Sequence, residues 1–108
     1  MTQHTALRMR QYQQQAVSTA TPDQLIAKLY DFGIAACLRD DRTKLRAVLQ
    51  ELISSLNFEG GGEIAERLFM LYEYFLNESV SGDLPFVAEM LSELRDVWKE
   101  YVITRKAA

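Results

Sequence analysis

The chain has 108 residues, 48% of them apolar and 25% charged, with only five Gly and two Pro. That is the composition of one ordinary globular domain, able to bury roughly two-thirds of its unfolded surface without disulfides or metals. One Cys (Cys37) and one His (His4) exclude an internal disulfide, a CxxC zinc site, an HExxH site and the paired ExxH motifs of a di-iron bundle. The net charge of −3 is uneven: residues 1–20 carry +2 (Arg8, Arg10) and residues 21–108 carry −5, an acidic body unsuited to displacing counterions from nucleic acid.

Residues 1–20 read as a tail, cap segment or short helix, with Met9, Tyr12 and Val17 set among Gln11 and Gln13 to Gln15. That stripe is too thin to nucleate a helix alone. Thr21-Pro22-Asp23-Gln24 is a T-x-x-Q capping box with proline at the first helical position. It predicts a helix over about 22–39, lined by Leu25, Ile26, Leu29, Tyr30, Phe32, Gly33, Ala36 and Cys37. Asp40 or, better, Asp41 caps a second helix with the stripe Leu45, Val48, Leu49, Leu52, Ile53 and Leu56, ending near Asn57.

Phe58 to Gly62 holds three consecutive glycines and reads as a helix-helix turn. A helix precedes these glycines and Glu63 follows them, so they do not make a phosphate-binding loop. Glu63 and Glu66 open a third helix with the stripe Ile64, Ala65, Leu68, Phe69, Leu71, Tyr72, Phe75 and Leu76. Asp83 caps a fourth, with Pro85 in its first turn and Phe86, Val87, Met90, Leu91, Leu94, Val97, Trp98, Tyr101 and Val102 along it. Helices of about 16–21 residues, roughly 24–32 Å each, joined by short connections, predict an all-α fold: an antiparallel up-down-up-down four-helix bundle over residues 21–108.

Nothing in the residue inventory pairs a nucleophile with a base, so no enzyme, cofactor or metal site is expected. Cys37 reads as a buried structural thiol, and Met70 and Met90 as gap fillers. Glu89, Glu93, Asp96 and Glu100 read as a solvated face, with a docking edge for a basic partner as the alternative. No apolar run is long enough to span a membrane, and the N-terminus lacks the apolar stretch of a secretory signal, so a reduced cytoplasmic location is expected. The first and fourth helices carry apolar pairs (25/26, 29/30, 32/33, 36/37; 86/87, 90/91, 97/98, 101/102), wider faces than a bundle seam requires. Neighbouring helices, the tail through Tyr12, or a partner's amphipathic segment can cover them.

Tyr12 to Val17, Thr19 to Ile26, Leu29-Tyr30-Asp31, Leu52 to Asn57, Gly61 to Ala65, Leu71 to Tyr74 and Glu93 to Trp98 form an ordered set. It resembles the flagellar secretion chaperone family FliS. The resemblance implies a four-helix bundle, without catalysis or cofactor, that binds the disordered C-terminal segment of flagellin in the cytoplasm. Binding would prevent premature polymerisation and deliver flagellin to the type III export apparatus, with the export gate as a second partner. The alternative is a regulatory paralogue that binds the export gate, another chaperone or an anti-sigma factor. A third reading is a bundle that is monomeric or a weak homodimer. The implied partner-binding positions are Tyr12 and Val17, with Met9 beside them; Leu25, Ile26, Leu29 and Tyr30; Leu52, Leu56 and Asn57; and Ile64 and Tyr72. The family pattern is longer in the first and third connections, so this chain resembles a shortened member, trimmed where those two connections meet.

Overall fold

A computed structural model of the chain describes residues 21–104. Among the described residues it is all-helical: α1 (Pro22–Leu38), α2 (Arg42–Ser54), α3 (Phe58–Ser81) and α4 (Leu84–Trp98), the last continuing into a π-helical turn, Lys99–Thr104. The expected segment 1–20 and residues 105–108 lie outside the described residues.

The helix starts follow from side-chain chemistry. Thr21 Oγ1 accepts from Gln24 N, and Gln24 Oε1 accepts from Thr21 N, so both halves of the capping box form. Asp41 caps α2 by accepting from Lys44 N at 3.1 Å, and Asp83 caps α4 by accepting from Phe86 N at 3.1 Å. Each acceptor satisfies one of the amides that a helix start leaves without a partner.

The ends differ from expectation in two places. The second helix stops at Ser54 rather than near Asn57. Ser54 Oγ donates to Gln50 O and Ser55 Oγ to Leu52 O, which fills carbonyls of the final turn and competes with helix continuation. The glycine segment is not a bare turn either. Asn57 Oδ1 accepts from Gly60 N and starts a helical turn at Phe58, which gives α3 its 24 residues. Gly62 then leaves helical geometry (φ 50°, ψ −126°) and kinks the chain before the helix resumes. This backbone conformation needs glycine, since a side chain there would be strained even though the space around it is open.

Packing centres on α1. It lies against α2 and most extensively against α4; α2 lies against α3, and α3 touches α4 only slightly. Gly33 allows the close approach, because a Cβ there would sit 3.0 Å from Leu91 Cδ1 on α4 and 3.3 Å from Val48 Cγ1 on α2. The core is built from Leu29, Tyr30, Leu45, Val48, Leu49, Leu52, Tyr72, Phe75, Val87 and Leu91, each at most 2% exposed. The start of α1 sits beside the end of α4, where Trp98 Nε1 donates to Asp23 O at 2.8 Å. Farther along the same seam, Arg95 pairs with Asp31 at 2.9 Å.

The first and third connections meet at one end, as the resemblance implies. Arg42, at the start of α2, donates to Glu78 O, Ser79 O and Gly82 O at the end of α3, and its Nε lies 3.7 Å from Asp40. One guanidinium thereby donates to three carbonyls at the end of α3, of which Glu78 O also accepts from Gly82 N, and ties the two short connections together.

Candidate partner-binding surface

The paired apolar positions on the two wide-faced helices have different fates. On α1 the neighbours cover nearly everything: Leu29, Tyr30, Gly33, Ala36 and Cys37 are buried, and Leu25, Ile26 and Phe32 are half-buried. On α4 the 90/91 pair packs inward, Leu91 buried and Met90 half-buried, while the 86/87 and 97/98 pairs split. Val87 and Leu91 are buried and Trp98 half-buried, while Phe86 is 39% exposed, Val97 54% and Tyr101 51%.

A second apolar stripe lies on α3. Ile64 is 71% exposed, Met70 68% and Tyr74 44%, and Leu71 is half-buried. Ile64, Leu71 and Tyr74 share one side of α3 by helical spacing, and Phe86, Met90 and Val97 share one side of α4. The two sides meet where the Tyr74 and Phe86 rings pack edge to face at 6.5 Å. α3 and α4 have little other contact along this seam, and Ile64, Tyr74, Phe86 and Val97 stay exposed on it. Met70, expected as a gap filler, is instead a surface side chain; Met90 does pack on the core.

The twelve positions that carry the resemblance separate into three groups. Met9, Tyr12 and Val17 lie outside the described residues. Leu29, Tyr30, Leu52 and Tyr72 are core residues, at most 2% exposed, and so are not presented to a partner in this structure. Leu25, Ile26 and Leu56 are half-buried, and Asn57 and Ile64 are exposed. The structure does not join these last five into one patch: Ile64 belongs to the α3–α4 seam, whereas Asn57 is engaged as the cap of α3. The exposed positions Met70, Tyr74, Phe86 and Val97 are absent from the twelve implied partner-binding positions, although Tyr74 and Val97 fall within the segments that carry the resemblance. The double-width pattern on the fourth helix could have found Phe86 and Val97, whereas Met70 and Tyr74 on α3 carry no such signal.

The core has one polar feature. Tyr30 Oη and Tyr72 Oη hydrogen-bond at 2.5 Å, joining α1 and α3 across the bundle interior. Burial pushes both phenols above their ordinary range. Their hydrogen bond opposes the rise at Tyr30, and Tyr30 reinforces it at Tyr72. Burial also lifts the Cys37 thiol to about 11, partly offset by the nearby Arg42 charge. A thiol held this far into its neutral form is a poor nucleophile. Among the described residues there is no group of three or more His, Cys, Asp or Glu able to hold a metal, and no helix is long and apolar enough to cross a membrane.

A family model described as "Flagellar protein FliS" matches residues 39–106, well over half of the chain. No curated protein and no solved structure matches. The matched region runs from the first connection through the whole of α2, α3 and α4, so it contains both sides of the α3–α4 seam. The chain belongs to the FliS family.

Proposed function

We propose that this chain is a flagellar export chaperone that binds the disordered C-terminal segment of flagellin in the cytoplasm, prevents its premature polymerisation and delivers it to the type III export apparatus. The FliS family, a family of chaperones rather than enzymes, supports this reading. The observation that carries it is the set of large apolar side chains that α3 and α4 leave exposed, Ile64, Met70, Tyr74, Phe86 and Val97. An amphipathic segment that is disordered alone gains its helical order by burying one face, and the lost chain entropy is offset by apolar area at roughly 25 cal/mol per Å². The scaffold we assign is the antiparallel up-down-up-down bundle, a rigid frame for a surface-binding task. To residues 1–20, with Met9, Tyr12 and Val17, we assign the role of a cover that competes with the client. The chain works as a monomer or weak homodimer.

The test is co-purification and calorimetry with a C-terminal fragment of the cognate flagellin. A soluble 1:1 complex is expected. Absence of binding at micromolar concentration, with the chaperone folded by circular dichroism, refutes the assignment. Tyr12→Ala is expected to change client affinity while leaving the melting temperature nearly unchanged.

A further inference from the structure

Residues 57–62 join α2 to the body of α3 through three consecutive glycines, and each has its own geometric reason. A Cβ on Gly60 would sit 2.8 Å from Asn57 Nδ2 and crowd the cap. One on Gly61 would sit 3.0 Å from Ala65 Cβ, so the turn lies close on α3. Gly62 supplies the φ of 50° that breaks the helix, and at the other end Asn57 is extended (φ −106°, ψ 96°). The single helical turn 58–61 therefore lies between two non-helical joints.

Few ties hold this turn down. Phe58 and Phe69 are eleven positions apart, and in an unbroken helix they would stand roughly 16 Å apart along the axis. The kink at Gly62 brings their rings to 5.9 Å, edge to face. Phe69 is half-buried but is not among the side chains packed on the main core, and the Phe58 ring is its aromatic neighbour. Phe58 itself is 49% exposed. The hydrogen bonds from Gly60 N to Asn57 Oδ1 at 2.9 Å and from Gly61 N to Asn57 O at 2.7 Å are local to the turn. Against these ties stands the backbone freedom that three glycines regain on release.

We propose that residues 57–62 form a hinged latch, with Asn57 and Gly62 as the joints and the Phe58 ring closing on Phe69. Opening carries the 58–61 turn off α3 while the rest of the bundle stays folded. It uncovers Phe69, which shares one side of α3 with Leu76 and Val80 by helical spacing, a different side from Ile64, Leu71 and Tyr74. The latch thus sets how much apolar surface α3 shows on that side, and a ligand that contacts Phe69 shifts the population toward the open state. The proposal goes beyond the chaperone reading, and its test does not involve flagellin.

Hydrogen exchange on the full chain, read amide by amide by NMR, reports the opening. The Gly60 and Gly61 amides are expected to be protected about a hundredfold less than those of Leu49 and Leu91. Their rates should be nearly independent of urea below the unfolding transition, the mark of an opening that exposes little surface. Phe58→Ala should raise exchange at both glycines about fivefold, with the helical circular dichroism and the Leu49 amide unchanged. Phe69→Ala, which leaves the turn's own sequence untouched, should do the same. Labelling with 4-fluorophenylalanine separates a latch from a frayed helix start. The fluorine signals of Phe58 and Phe69 should show exchange with one rate and one population, while that of buried Phe75 shows none. Exchange of the Gly60 and Gly61 amides only through global unfolding overturns the proposal. So does unchanged exchange in Phe58→Ala and Phe69→Ala, or motion at Phe58 with none at Phe69.

Discussion

The Tyr30–Tyr72 pair gives the sharpest test of how the core is held together. Both rings are 2% exposed, and each hydroxyl has the other as its partner at 2.5 Å. Tyr72→Phe leaves the Tyr30 hydroxyl buried with its partner removed, which costs about 1–3 kcal/mol, and Tyr30→Phe does the same to Tyr72. The double Phe variant removes both polar groups at once from an apolar site of nearly unchanged volume. It should recover most of the loss, because replacing both partners by apolar groups of the same shape is nearly neutral. For a domain of this size, about 2 kcal/mol in a single variant corresponds to a melting-temperature drop of about 8–16 °C. Urea titrations of the wild type, both singles and the double would close a double-mutant cycle, with an expected coupling of at least about 1 kcal/mol. Single variants within about 0.5 kcal/mol of wild type, or a double whose loss equals the sum of the singles, would refute the reasoning.

Arg42→Ala should destabilise the fold by about 1–3 kcal/mol, since it strips donors from three carbonyls at the end of α3; hydrogen exchange should show amides near residues 78–83 opening first. Gly62→Ala should cost about 1–3 kcal/mol by urea titration, purely through backbone strain, because nothing lies within 4 Å of the added methyl. The raised Cys37 pKa means that the folded state holds the thiol proton more tightly than the unfolded chain does. Its stabilising contribution is therefore complete below about pH 9 and is lost as pH rises through about 11, up to about 2–3 kcal/mol. Cys37→Ala should flatten the stability profile measured over that window.

Much of the fold is legible in the sequence because its signals are local. Thr21, Asp41 and Asp83 cap through their own side chains, and the residues that need capping are three positions away. The stripe on the second helix maps directly onto buried Leu45, Val48, Leu49 and Leu52. What is not legible depends on tertiary context. Gly60 and Gly61 read as turn residues, yet Asn57 recruits them into a helical turn, where Phe58 packs edge-on against Phe69 at 5.9 Å. Ile64 sits on a predicted apolar stripe, but only the packing of α4 decides that this side of α3 stays open. Arg42 looks like an ordinary surface cation in the sequence, and its three carbonyl partners lie 36 to 40 residues away.

The implied partner-binding positions and the apolar side chains that stand exposed overlap little, and packing accounts for the division. Leu29, Tyr30, Leu52 and Tyr72 sit in a close-packed interior, where a change of one methylene group or one unpaired hydroxyl is felt. Ile64, Met70 and Val97 are more than half exposed, and substituting them costs the scaffold little. A surface of this kind can be retuned for a new partner without refolding the bundle. The neutral, well-covered half made by α1 and α2 and the acidic, apolar-surfaced half made by α3 and α4 follow the same logic. α1 contributes most of the contacts that hold the bundle, which leaves α3 and α4 free to stand apart from each other. Their weak mutual contact accounts for the apolar side chains that both helices leave exposed.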